Sequence, residues 1–327
     1  MHTKDAGPHS AGGTSVKQQT TQRAPTERED IMRETNGNSA IHPTTDIVLA
    51  TLSGCADPRL KEIMTALIRH VHAFAEEVQL TGDEWRRGIE FLTQTGKQCD
   101  GIRQEFILLS DTLGLSIMLD AIHRRHDVTE SAATEHSLLG PFYREGAHDE
   151  AFGANIARTE GEPALFRGRL IDQAGKPVPD ALIEVWETAN NGMYEGQDPD
   201  QPESNLRGRF RSGPNGEYAF RSIKPTPYPI PTDGPVGQML LALGRHPMRP
   251  AHVHFLIQAP GYDTLTTALF SSDDPYVDSD AVFGVKPSLV VDYVTNPSRA
   301  DAKEWDLPSP FFDVQRDFVL TRSDGAA

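Results

Sequence analysis

Residues 249–255, Arg-Pro-Ala-His-Val-His-Phe, set two imidazoles two positions apart inside an apolar run. On an extended strand alternate side chains share a face, so His252 and His254 lie on one side and Val253 and Phe255 on the other. Paired imidazoles on one face are a metal-ligand arrangement, and they are also how two half-buried packing histidines look. Two tyrosines stand in unusual company. Tyr194 ends Asn-Asn-Gly-Met-Tyr, between a strand-like run and a polar loop; Tyr228 is flanked by prolines at 225, 227, 229 and 231. Those prolines fix φ and remove backbone donors. Either tyrosine alone reads as part of an irregular edge. Together with the histidines they form a set of nitrogen and oxygen donors. A phenol, with an ordinary pKa of about 10, needs a strong Lewis acid to ionise it near neutrality. Zinc rarely takes phenolate; ferric iron does.

Two kinds of periodicity must position these donors. From about 45 to 126 the period is helical. Asp57-Pro58 reads as an N-cap followed by proline at the first helical position. Leu60, Ile63, Met64, Leu67, Ile68, Val71, Ala75 and Val78 then line one face. Thr81-Gly-Asp-Glu84 reads as a capping box opening a further helix. From about 163 short β-type runs take over, at 166–171, 181–187, 217–223, 252–259, 265–271 and 317–322, with Gly/Pro/Asp turns between them. The expected fold is α+β: a tail at 1–44 too polar to order itself, a helical linker and dimerisation region at 45–130, and a mixed β-sandwich catalytic domain at 131–327. The helical region carries more apolar surface than a few helices can hide alone.

The chain has 327 residues, a formal net charge of −16 and two cysteines, Cys55 and Cys99. The charge argues against binding nucleic acid or an anionic membrane. Two cysteines make no disulfide framework and suit a reducing compartment, so a cytoplasmic location is expected. No run approaches the roughly 18–20 apolar residues of a membrane span, and the N-terminus lacks a secretory pattern.

The segments LLGPFYR (138–144), NNGMY (190–194), PYPIPTDGPVG (227–237), GRHPMRPAHVHF (244–255) and DPYVDSDAVFGVK (274–286) resemble the intradiol ring-cleaving dioxygenases, in order, from about residue 45 to 320. Within the family they are most similar to its hydroxyquinol-cleaving branch. The resemblance implies Fe(III) held by Tyr194, Tyr228, His252 and His254, and Arg249 beside the bound diol. It implies that Tyr228 is displaced when substrate binds and takes one of its protons. The ring is cut between its two hydroxylated carbons, and both atoms of O2 enter the product. Substrate contacts are expected from Ile117, Asp120, Leu138, Pro141, Phe142 and Val282, with Asp120 accepting a hydrogen bond from the third hydroxyl of hydroxyquinol. Ala268 departs from the pattern, standing where relatives usually carry Gln or His. The family further implies a homodimer through the helical region and a phospholipid at its interface. Catechol or chlorocatechol is the alternative substrate, and a non-catalytic β-sandwich binding module the alternative of another class.

Overall fold

The computed structural model describes residues 42–100, 103–124 and 133–323. The chain divides into two compact units, Met1–Trp85 and Arg86–Ala327. The tail expected at 1–44 lies outside the described residues except for its end, which enters a helix.

In the first unit, α1 (Pro43–Ala50) is followed by α2 (Pro58–Glu77) and the start of α3 (Gly82–Lys97). Thr45 of α1 bonds His72 of α2 at 2.8 Å. Asp57 caps α2 by accepting from the amides of Arg59 and Leu60 at 2.9 and 3.1 Å, an interaction worth about 1 kcal/mol. The Thr81–Glu84 box forms in both directions: the Thr81 amide donates to Glu84 Oε2 at 2.9 Å and the Glu84 amide to Thr81 Oγ1 at 3.3 Å. None of α2's residues is buried. Leu60, Ile63, Leu67, Val71 and Phe74 of its apolar stripe are each 47–55% exposed.

In the second unit, the rest of α3, α4 (Glu105–Thr112) and α5 (Leu115–Arg124) precede twelve strands. These are β1 (Pro163–Asp172), β2 (Leu182–Glu187), β3 (Arg207–Arg211), β4 (Glu217–Ile223), β5 (Tyr228–Pro229), β6 (Met248–Arg249), β7 (His252–Gln258), β8 (Leu265–Ser271), β9 (Val290–Val291), β10 (Val294–Asn296), β11 (Phe311–Gln315) and β12 (Phe318–Leu320). Two more helices, α6 (Pro235–Ala242) and α7 (Arg299–Glu304), interrupt them. One five-stranded sheet is built on β1, which takes β4 antiparallel and β11 and β12 parallel, with β10 beyond β11. The other runs β3-β2-β7-β8-β9, antiparallel except for its last pair.

The core lies between these sheets. Phe166 stacks on Phe220 at 4.9 Å, and Phe255 meets Phe318 at 4.8 Å. Val253, Phe255 and Ile257 of β7 join this cluster and are fully buried. Each large side chain so removed from water contributes about 1.5–3 kcal/mol. The six strands expected from the sequence are present. β3, β5, β6 and β9–β11 were not expected: β3 reads Arg-Gly-Arg-Phe-Arg, and the others are too short to show alternation or adjoin prolines.

Candidate metal centre and substrate cavity

The register of the second sheet fixes the outer face of β7. His254 stands opposite Trp186 on β2 and Ala268 on β8, and His252 stands opposite Phe270. Directly paired residues share a face, so this aromatic group covers the histidines while Val253 and Phe255 point into the core. The Trp186 indole lies flat on His254, 4.7 Å away and 5° from parallel.

The tyrosines arrive from two loops. Gly192, at φ +75°, turns the chain before Tyr194, and a Cβ there would sit 3.3 Å from Tyr228 Cβ. Left-handed backbone at close approach is a place for glycine. Tyr228 is fixed by the β5–β6 pairing, which sets it opposite Arg249. The outcome is a buried cluster. Tyr194 donates to Tyr228 Oη at 3.3 Å, and His252 Nε2 faces His254 Nε2 at 3.0 Å. Tyr228 and His252 have ring centroids 5.6 Å apart, Tyr194 and His254 6.4 Å. All four residues are at most 4% exposed.

Burial decides the protonation of Tyr194 and of the two histidines. It pushes the Tyr194 phenol well above its ordinary value, with the neighbouring Tyr228 adding to the effect. It drives both imidazoles well below theirs, helped at His252 by Arg249 and at His254 by His252 and Arg249. Neutral imidazole is the ligand form. His252 Nδ1 sits 2.6 Å from the Pro250 carbonyl and so carries the proton there, leaving the Nε2 lone pair aimed at the cluster. The 3.0 Å contact then requires a proton on His254 Nε2 and strips His254 Nδ1, which is buried and bonds nothing among the described residues. A cation held by both histidines would take both Nε2 lone pairs and return the His254 proton to Nδ1. Two phenols and two neutral imidazoles fit a hard trivalent cation. Among the described residues no group of three His, Cys, Asp or Glu side chains could hold a metal ion.

Arg249 is 3% exposed and lies against the Tyr228 hydroxyl. Its Nη1 donates to Tyr228 Oη at 3.3 Å, while Nε and Nη2 face Asp280 Oδ1 and Oδ2 at 3.1 and 3.3 Å. Burial opposes the guanidinium charge, but Asp280 and the tyrosines outweigh it and the net shift is upward.

A small cavity beside Tyr228 and Arg249 is lined by Leu138, Pro141, Phe142 and Val282, four of the expected substrate contacts. Phe142 stacks on Tyr194 at 4.7 Å. The cavity continues the wall of a cleft of about 540 Å³ that reaches Tyr194 and Arg103. A hollow of about 860 Å³ around Arg245 and His246 holds none of the four donors.

Neither Ile117 nor Asp120 lines the small cavity. Both sit half-buried on α5, and the Asp120 carboxylate is taken by Lys286 at 2.6 Å. The acid in the cavity is Asp111 of α4, which is 5% exposed and was missed. Burial raises its carboxyl above the usual range; Ser116 and Arg249 pull it back, and Asp280 pushes it up. Two buried acids therefore flank one guanidinium, Asp280 in the ion pair and Asp111 facing the cavity. Ala268, fully buried opposite His254, offers that ring no hydrogen bond.

Comparison with known proteins gives a consistent set. The family described as "Dioxygenase" matches residues 138–322, and "Catechol dioxygenase N terminus" matches 57–131. A hydroxyquinol 1,2-dioxygenase of Rhizobium sp. (strain MTP-10005) is 46% identical over 280 residues, 85% of this chain and 94% of the relative. A 6-chlorohydroxyquinol 1,2-dioxygenase of Cupriavidus pinatubonensis is 48% identical over 254 residues, 77% of this chain and 91% of the relative. The crystal structure of hydroxyquinol 1,2-dioxygenase from Pseudomonas putida DLL-E4 superposes with a TM-score of 0.80 at 53% identity, covering 86% of this chain and 98% of the other.

Proposed function

Because the chain belongs to the intradiol ring-cleaving dioxygenases, we propose that it cleaves hydroxyquinol (1,2,4-trihydroxybenzene) with O2 between the adjacent hydroxylated carbons. The product is 3-hydroxy-cis,cis-muconate or its keto tautomer, maleylacetate. The reading rests on the meeting of Tyr194, Tyr228, His252 and His254 at one buried point, with Arg249 on the Tyr228 oxygen.

These four residues would hold ferric iron, which when bound supplies Lewis acidity and a template for the diol. The protein's part is positional and electrostatic. Tyr228, which would be ionised with iron bound, would receive at Oη a proton from a substrate hydroxyl. Arg249 Nη1, 3.3 Å from that oxygen, places fixed positive charge where negative charge develops as the diol loses its protons. Leu138, Pro141, Phe142 and Val282 enclose the aromatic ring and exclude water. Asp111 hydrogen-bonds the third hydroxyl, the group that separates hydroxyquinol from catechol. A site built for a hydroxyl discriminates against substrates that lack it.

The test is O2 uptake and ring-cleavage rate with hydroxyquinol, catechol and chlorocatechols, beside a visible spectrum of the iron-loaded protein. The expected result is a broad tyrosinate-to-iron band, perturbed by anaerobic hydroxyquinol, and the highest kcat/KM for that substrate. A preference for catechol would overturn the substrate; a protein that stays colourless with iron would overturn the centre.

The exposed stripe of α2 supports a homodimer, with a second copy covering Leu60, Ile63, Leu67 and Val71 and a phospholipid seated at that interface. Leu67→Glu should convert the dimer to monomer in sedimentation; an unchanged mass would overturn the pairing. Both cysteines are free, and no described helix is long and apolar enough to cross a membrane, which fits a cytoplasmic enzyme.

A further inference from the structure

Arg249 reaches Tyr228 with only one nitrogen of its fork, Nη1. Its other edge, Nε and Nη2, lies against Asp280. The two side chains are 4% and 2% exposed. The carboxylate is itself held by its own loop. Asp280 Oδ1 accepts from the Val282 amide at 3.2 Å and Oδ2 from the Gly284 amide at 2.9 Å. The loop is tied down in turn. Ser137 Oγ donates to the Gly284 carbonyl at 2.8 Å, Arg245 Nη2 to the Ala281 carbonyl at 2.8 Å, and the Ala281 amide to Met248, the residue beside Arg249, at 3.1 Å. A guanidinium is planar and rigid, so fixing one edge fixes the direction of the third nitrogen.

Gly284 leaves the room this pairing needs. A Cβ there would lie 3.0 Å from Arg249 Nη2, 3.1 Å from Asp280 Oδ2 and 3.3 Å from Ser137 Oγ. These contacts are tighter than ordinary, and the atoms they would move are those of the ion pair.

From this geometry, and resting on the proposed ring-cleavage function, we infer that Asp280 is the positioning residue that aims Arg249 at the Tyr228 oxygen and the bound diol, with Gly284 keeping the space in which the pair forms. Asp280 touches neither substrate nor iron and acts only through Arg249. Without its charge, the guanidinium can turn about its terminal side-chain bond and withdraw Nη1 from the phenol.

The test compares Asp280→Asn, Asp280→Glu and Gly284→Ala with wild type as full-length, iron-loaded proteins. Asp280→Asn keeps the size and one acceptor for the loop amides but loses the charge that grips Arg249. Expected is a tenfold to hundredfold fall in kcat, roughly the effect of removing an outer-shell partner, with KM changed less than about threefold at that scale. Iron per chain stays at the wild-type value, and the visible tyrosinate band moves because Arg249 has left Tyr228 Oη. Asp280→Glu should recover part of kcat, and Gly284→Ala should repeat the kcat loss and the band shift with every charge in place. A purely structural Asp280 would lose iron and folded protein together and leave kcat per iron and the band unchanged. That result, or wild-type kcat in Asp280→Asn, overturns the inference. Should Asp280→Asn fail to fold, Gly284→Ala decides by the same two readouts. A wild type that takes up iron but opens no diol ring sinks the function, and this inference with it; an active wild type beside an unaltered Asp280→Asn sinks the inference alone.

Discussion

His254 and Phe255 are neighbours on β7 and belong to different chemistries. Phe255 faces Phe318 and Phe220 between the sheets and is fully buried in hydrocarbon. His254 faces Trp186 and the Tyr194 phenol and is just as buried. The inner face gains stability from every side chain it hides. The outer face gives some back. His254 Nδ1 and Trp186 Nε1 are both buried without a partner among the described residues, and such groups cost about 1–3 kcal/mol each. One strand thus separates the side that holds the protein together from the side that holds donors ready for a cation. Local violations of good packing rules collect where function sits.

The strongest challenge to this division is a pair of alanine substitutions. His254→Ala should reduce ring cleavage to background and empty the protein of iron, while the metal-free melting temperature stays level or rises because an orphaned polar atom is gone. Phe255→Ala should cost about 3–5 kcal/mol in urea unfolding, with kcat retained by the molecules that remain folded. If both variants unfold alike, the two faces are not separable. A pH experiment probes the inner face from another side. Glu187, on β2 opposite Val253, accepts from the Ser222 hydroxyl on the facing sheet, and burial pushes its carboxyl from 4.5 up to about 8. The folded chain keeps a proton that the unfolded chain releases. The associated stability is complete below pH 4.5 and is lost as pH rises through about 8. Relative to Glu187→Gln, wild type should lose stability between pH 5 and 8; parallel urea midpoints would mean that the carboxyl is not held neutral.

Smaller effects sharpen the outer face. Asp111→Ala should lower kcat/KM for hydroxyquinol about tenfold to a hundredfold more than for catechol, the equivalent of one buried hydrogen bond. Equal losses would remove Asp111 from substrate choice. Asp120→Ala should cost about 1 kcal/mol or less from its pair with Lys286 and leave the hydroxyquinol-to-catechol ratio unaltered. A changed ratio would return the hydroxyl contact to α5.

Some of this was legible in the chain. The alternation His252-Val253-His254-Phe255 gave the two faces directly, because side-chain direction on a strand needs only parity. Asp57 and the Thr81–Glu84 box were legible because caps act within four residues. Tyr194 and Tyr228 were not joined by any spacing: they are 34 positions apart, and donor chemistry and the family resemblance grouped them before β5, β6 and the Gly192 turn did so physically. Asp111 and Asp120 look alike in sequence, each an acid on an apolar helix. Which of them reaches the cavity is decided by how α4 and α5 pack, and that information is tertiary. Asp280 lies 31 positions from Arg249 and was hidden for the same reason. β3 was hidden by its arginines, which read as surface although Arg207 is buried, donating to the Arg144 carbonyl.

The prolines around Tyr228 have a consequence for repeated turnover. A phenol that releases its place to each arriving substrate and reclaims it afterwards needs a frame that does not drift. With Pro225, Pro227, Pro229 and Pro231 locking φ on both sides and β5 bonded to β6, the backbone here has few alternative shapes to visit. The swing is left to rotation about the side chain's own two torsions. If Tyr228 takes up a substrate proton as proposed, its ring would turn like a gate on a fixed post, and every cycle would close on the same latch.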